Sequence, residues 1–201
     1  MSKIAIVILA AGNSKRMGQS KQLLAWKDST LLGSVIENAF CADADEIFVV
    51  LGAYRNEIKE KTDLSKTIIL TNKNWQQGLG SSIAFATAEI DKNYPNINAI
   101  LFVLADQPFI RSQHLNAITA LHNKKKEAII ITRREEYGGV PVLFPRKFFS
   151  ELGSLSNDEG AKEVIWRNKS HVSEVVTDDD ITDIDNFESY IILNQALNKT
   201  K

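Results

Sequence analysis

Apolar residues arrive in short unbroken runs: IAIVIL at 4–9, EIFVVLG at 46–52, KTIILT at 66–71, AILFVLAD at 99–106 and AIIIT at 128–132. The runs are rich in β-branched residues and continuous rather than alternating, the pattern of strands covered on both faces. Between them the apolar spacing shifts to the helical period, over 30–42, 54–62, 81–90 and 112–126. Strand alternating with helix predicts an α/β protein: a three-layer, Rossmann-like, doubly wound and mostly parallel sheet. After residue 133 the rhythm changes. GGVPVLFP at 138–145, bracketed by Gly and Pro, predicts an edge or antiparallel strand. Helices near 146–152 and 159–168, a strand over 171–176 and a helix over 187–198 complete the reading. No repeat or long linker interrupts it, so residues 1–201 are expected to form a single domain.

In sheets of this kind ligands bind beyond the carboxyl ends of the strands. That singles out the segments 10–22, 105–111 and 178–185. The first is unusual. LAAGNSKRMGQSKQLL, residues 9–24, leaves an apolar strand and at once collects Gly12, Gly18, Lys15, Arg16 and Lys21, with Lys27 just beyond.

Composition makes this local charge more informative. The chain carries 24 basic and 25 acidic side chains, a net charge of −1. That balance gives no electrostatic footprint for nucleic acid or for an anionic membrane, and neither partner is expected. No apolar stretch approaches the ~18 residues of a membrane span, and the apolar start is interrupted too early for a signal peptide; the expected location is cytoplasmic. Cys41 is the one cysteine, expected as a small core residue, and the three histidines show no ligand spacing. The basic cluster therefore stands as a site within an otherwise neutral protein.

The usual labels for a glycine loop after a first strand fail. Five residues separate Gly12 from Gly18 and Gln19 follows, which breaks the Walker A spacing, while Asn13 and Ser14 break the dinucleotide fingerprint. The chemistry nevertheless suits phosphate. Small Ala10, Ala11 and Gly12 allow close approach to backbone amides. Arg16 offers a planar fork, and Lys21 a compact charge.

The same stretch resembles the LAAGxSxRMGxxKxLL signature of nucleotidyltransferases similar to molybdenum cofactor cytidylyltransferase, a family of the nucleotide-diphospho-sugar transferase fold. Further landmarks resemble the family in order: NWQQGLGSSI at 74–83, LADQP at 104–108, GGVPVLFP at 138–145, NDEGAKEVI at 157–165 and DITDIDNFESY at 180–190. The resemblance covers nearly the whole chain. It implies transfer of a nucleoside monophosphate from an NTP to a small phosphorylated acceptor, with release of pyrophosphate. The acceptor oxygen attacks the α-phosphorus directly, so catalysis reduces to positioning and charge neutralisation, and the absence of a nucleophile–base constellation is expected.

On this resemblance Arg16 and Lys21 hold the β- and γ-phosphates, and Leu9, Ala10, Ala11 and Gly12 line the nucleotide. Gly80 and Ser81 match positions that meet base or ribose, although GLGSSI also reads as the capped start of a helix. Asp106, ending an apolar strand at the cleft, is expected to be catalytic and to bind Mg²⁺. Asp185 is the expected second metal ligand with Asp183 as its neighbour, yet Asp185-x-x-Glu188 also reads as a capping box. The run 178–180 reads as a solvated turn. Ala10-Ala11-Gly12 matches the LAAG of family members that use CTP rather than the LAGG of those that use GTP, so CTP is the favoured NTP. The acceptor that the resemblance favours is a molybdopterin-type molybdenum cofactor, with a molybdoenzyme or cofactor-delivery protein as partner. A sugar- or polyol-phosphate enzyme and a non-catalytic carrier are the alternatives.

Overall fold

A computed structural model describes residues 2–135, 137–156 and 160–198, without the side chains of 16, 137 and 196–198. Seven strands form one sheet in the order β5(Ile68–Thr71), β4(Glu46–Leu51), β1(Lys3–Ala10), β6(Ile97–Leu104), β8(Tyr137–Pro145), β7(Ile129–Arg134), β9(Val172–Val176). β2(Ala25–Trp26) and β3(Ser29–Thr30) make a separate small hairpin. β5, β4, β1 and β6 run parallel, and β9 runs parallel to β7; β8 is antiparallel to both its neighbours.

The unbroken apolar runs have a direct physical reading. Successive side chains of a strand point to opposite faces. Ile4, Ile6, Ile8 and Ala10 pack with α1(Leu31–Phe40), α2(Arg55–Lys61) and α4(Ser112–Lys124) on one side. Ala5, Val7, Leu9 and Ala11 pack with α3(Leu79–Asn93), α5(Phe149–Gly153) and α6(Lys162–Arg167) on the other. Both faces of β1 are therefore dry. The result is the expected three-layer, doubly wound and mostly parallel sheet.

Of the two expectations for β8, the antiparallel one holds, while the strand lies between β6 and β7 rather than at an edge. Pro141 is accommodated there by a register shift: Ile131 pairs with Val142, the next residue Thr132 with Gly139, and Val140 and Pro141 bulge out between them. The Thr132 hydroxyl fills the gap by donating to the Pro141 carbonyl at 2.7 Å, and His114 Nε2 meets that hydroxyl at 2.7 Å.

Three smaller expectations are also corrected. Cys41 is exposed at the C-terminal cap of α1 rather than in the core. Asp179, read as part of a solvated turn, is buried and takes hydrogen bonds from the Arg111 backbone N–H at 2.9 Å and Nε at 2.6 Å. α3 starts at Leu79, two residues before the expected 81. No helix among the described residues is long and apolar enough to cross a membrane.

Candidate active site

β1 lies at the point where the strand order reverses, with β4 and β5 on one side and β6 on the other. The loops leaving β1, β4 and β6 thus gather at one rim, where such sheets bind ligands. The first loop makes two 3-10 turns, Lys15–Met17 and Lys21–Leu23. Ser14 sits between β1 and the first turn at φ 48°, a left-handed conformation costing about 1 kcal/mol for a residue with a Cβ. Its carbonyl accepts from the Met17 N–H at 2.8 Å and its hydroxyl from the Lys21 N–H at 3.2 Å, which over-determines the bend.

The residue that holds this loop is Gln22, 2% exposed. Its Nε2 donates to the carbonyls of Ala10 at 3.2 Å and Gly12 at 3.0 Å, and its Oε1 accepts from the Ser20 hydroxyl at 2.9 Å. The Ala53 N–H donates to the intervening Ala11 carbonyl at 3.1 Å, and the Tyr54 hydroxyl donates to the Asn13 carbonyl at 3.1 Å. A trans peptide sets each carbonyl and the following N–H in opposite directions. Tying the carbonyls of 11 and 12 away therefore turns the amides of Gly12 and Asn13 the other way. The loop's approach to β4 depends on Gly52, where a Cβ would come within 2.5 Å of the Ala11 carbonyl oxygen and 2.7 Å of the Trp75 Cβ.

An acidic corner faces the loop. The Lys21 ammonium is paired with Asp106, lies 3.7 Å from Asp185 and donates to the Ile184 carbonyl at 3.4 Å. Expected on phosphates, it here balances two carboxylates. Its side chain is only 17% exposed, so it needs that counter-charge. Ile184 N–H donates to the Asp106 carbonyl at 3.1 Å, and Gln107 Nε2 to the Ile181 carbonyl at 3.0 Å, docking the C-terminal segment on the loop after β6. Burial, and next the charges of Asp106 and Asp185, push Asp183 up to about 6. Asn186 caps α7(Phe187–Asn198), its Oδ1 accepting from the Ser189 N–H at 2.8 Å, so the cap falls one residue after the Asp185 of the expected capping box.

A third apolar cluster fastens these parts together. Trp26, Leu31, Ile184 and Tyr190 pack with Met17 and Leu24 of the first loop and with Phe109 after β6. Phe109 meets Trp26 edge-on at 5.2 Å between ring centroids, and the Tyr190 hydroxyl donates to the Ala25 carbonyl at 2.7 Å.

Two cavities open at this rim. One, of about 480 Å³, is lined by Leu9, Ala11, Gly12, Lys15, Lys21 and Asp106 together with Trp75, Gln76, Gly78, Leu79 and Ser82. The other, of about 1090 Å³, is walled by Ile83, Ile131, Gly138, Gly139, Val140, Ile165 and Trp166, with Gln107 and Asp183 among its polar groups. Leu9, Leu79 and Leu104 line both.

The structure thus brings together Leu9, Ala11, Gly12, Lys21, Asp106 and Asp185. Ala10 faces the core on the opposite side and contributes its tied carbonyl. Gly80 and Ser81 are buried in the first turn of α3. The Ser81 hydroxyl donates to the Asn74 carbonyl at 2.8 Å and accepts from Asn72 at 2.9 Å, so it holds its own loop. The Arg16 side chain lies outside what the structure describes, as does Asp158 of the 157–165 landmark. Gln22, Gly52, Trp75 and Gln107 were not singled out. The sequence signal for Gln22 was a polar residue at a position that must be dry, between Lys21 and two leucines.

A mononucleotide-type sheet with a cation-bearing first loop facing clustered carboxylates defines a nucleotidyltransferase architecture. The chain belongs to the MobA-like NTP transferase family, whose domain model matches residues 6–172. It is 27% identical over 194 residues to molybdenum cofactor cytidylyltransferase of Escherichia coli K12, covering 95% of each chain. The crystal structure of Rv0371c from Mycobacterium tuberculosis H37Rv superposes with a TM-score of 0.86 at 27% identity, over 96% of this chain and 98% of that one. A crystal structure of Rv0371C in complex with manganese gives 0.82 at 26% identity, over 97% and 100%.

Proposed function

We propose that this chain works as a single-domain nucleotidyltransferase that moves CMP from CTP to a phosphorylated acceptor, a molybdopterin-type cofactor, and releases pyrophosphate. The observation that carries the reading is the shared wall of the two cavities. Leu9, Leu79 and Leu104 line both, Asp106 stands on the smaller side and Asp183 on the larger. Nucleotide in the first and acceptor in the second would meet at the carboxylates. An acceptor phosphate oxygen attacks the α-phosphorus in line, and the bond from that phosphorus to the bridging oxygen of the β-phosphate breaks. The apolar walls at Ile83, Ile165 and Trp166 favour a flat heterocyclic acceptor over a polyol.

The chain's own residues do the positioning. The amides of Gly12 and Asn13 and the side chains of Arg16 and Lys21 hold the triphosphate, and Leu9 and Ala11 line the nucleotide. The Ala11 methyl narrows the base pocket against a purine. Gly80 and Ser81 act through the loop that carries Trp75 and Gln76.

Asp106 and Asp185 already share one cation, the Lys21 ammonium. Among the described residues no three carboxylate, imidazole or thiolate groups are arranged to hold a metal ion alone. Two carboxylates completed by substrate oxygens and water suit Mg²⁺, which keeps such mixed shells. Bound there, a divalent ion supplies charge neutralisation at the phosphates.

The test is a pyrophosphate-release assay that crosses CTP, GTP, UTP and ATP with molybdopterin cofactor and sugar or polyol phosphates. CTP with the pterin cofactor is expected to turn over, and Asp106→Ala to abolish turnover while the circular dichroism spectrum is unchanged. Preference for GTP overturns the CTP assignment. Absence of turnover with every pair points to a nucleotide- or cofactor-carrying role instead.

A further inference from the structure

Gly139 lies inside β8 and lines the larger cavity. Strand interiors disfavour glycine, which loses the most chain entropy on folding and packs no side chain. The usual structural reasons for keeping one are missing at this position. Its φ is not left-handed, so the backbone conformation is open to any L residue. A Cβ there would meet no atom within 4 Å beyond its chain neighbours, so no packing contact demands its absence. Gly52, by contrast, is fixed by close contacts. Nor is Gly139 one of the bulged residues: it pairs with Thr132, and Val140 and Pro141 are the ones displaced. The remaining use of a strand glycine is close approach of another molecule to the backbone. Gly139 is itself partly exposed, so that approach is open.

A second accessible group in the same cavity suits a flat molecule. Lys162, Ile165 and Trp166 share one face of α6 at helical spacing, and all three line the cavity. Trp166 is 74% exposed, and an indole left in water gains from stacking on another ring.

We propose that Gly139 sets the acceptor specificity: its missing side chain lets a flat heteroaromatic ring lie against the backbone of β8, in the cavity that Trp166 borders. The assignment rests on the larger cavity being the acceptor site of the transferase reading. A rigid ring in contact with the strand cannot step round an added methyl group. Alanine at 139 therefore excludes the ring while the protein's own packing loses nothing.

The experiment is calorimetric titration of the full chain with 6-hydroxymethylpterin phosphate, Mg²⁺ and a non-hydrolysable CTP analogue being present, and with the analogue by itself. In Gly139→Ala the pterin Kd is expected to rise at least about tenfold, the effect of a methyl group forced into a filled contact. The analogue's Kd is expected to stay within about twofold, and the urea midpoint to be equal or higher, because alanine restricts the unfolded chain. Gly153→Ala, at a position equally unhindered but lining neither cavity, is expected to leave both Kd values unchanged. A smaller rise in the pterin Kd overturns the proposal, as does a pterin that fails to bind the unaltered chain. Equal weakening of the CTP analogue, or a lowered urea midpoint, overturns it too, since the glycine would then serve the fold. Binding is read without turnover, so failure of the Gly139 contact is distinguishable from failure of the transferase reading, which the pyrophosphate assay tests.

Discussion

Replacing Gln22 by Met keeps the side chain's length and apolar stem but removes every hydrogen bond it makes. Two carbonyls lose their donor, and the hydroxyls of Ser20 and, at 3.5 Å, Ser14 lose an acceptor. The Ala10 carbonyl belongs to a buried residue, so its loss carries most of an unpaired group's cost, about 1–3 kcal/mol. Gly12 is exposed and water can serve its carbonyl, leaving a few tenths of a kcal/mol there. The sum is about 2 kcal/mol, concentrated in one loop. If the loop relaxes to satisfy these groups, nucleotide binding must restore its native shape and is weakened by the same amount, about 30-fold in affinity. Fluorescence competition with a labelled CTP analogue measures that directly, and differential scanning fluorimetry reports the stability of the whole chain. Gln22→Glu is expected to behave alike, because a carboxylate cannot donate to either carbonyl. A nucleotide Kd within twofold of the unaltered protein in both variants would refute the role assigned to Gln22.

Gly52→Ala places a Cβ 2.5 Å from the Ala11 carbonyl oxygen and 2.7 Å from Trp75, so β4 or the Trp75 loop must move. A loss of about 1–3 kcal/mol in urea unfolding and weaker nucleotide binding are expected. His114 is held neutral by burial, its pKa lowered from 6.5 despite the opposing charge of Asp179. The unfolded chain takes up that proton as pH falls below about 6.5 and the folded chain resists it, so stability drops on acidification. Asp183 acts in the opposite sense, since its folded form takes up a proton first, near pH 6. Melting curves from pH 8 to 5 should therefore be compared between the unaltered protein and His114→Asn. The variant is expected to lose less stability over that range, and parallel profiles would remove His114 as the source.

The fold was legible because its physics is repetitive. β1, β4 and β6 are dry on both faces over most of their length, and an unbroken apolar run records that without reference to any partner. The Gly and Pro around β8 pointed to an edge or an antiparallel strand; the second holds, and the shift between Ile131 and Thr132 that admits Pro141 inside the sheet leaves no mark in composition. The site divides in the same way. Lys21 and Asp106 stand out as charges at strand ends, but only the fold shows that they pair with each other. Gln22 and Gln107 are neutral, and their importance lies in which carbonyls they reach. Asn186 rather than Asp185 caps the last helix, a one-residue difference that spacing alone does not resolve.

The cluster of Trp26, Leu31, Ile184 and Tyr190 also bears on how the protein is made. It joins positions far apart in sequence, and the Lys21 bond to Ile184 spans 163 residues. A nascent chain can lay down β1, β4 and β6, and with them the first loop, long before Ile184 leaves the ribosome. The carboxylate corner closes only when Ile184 and Asp185 arrive. The first loop and the carboxylate corner are thus separated in order of synthesis, and a chain halted before Ile184 would carry the loop without the closed corner.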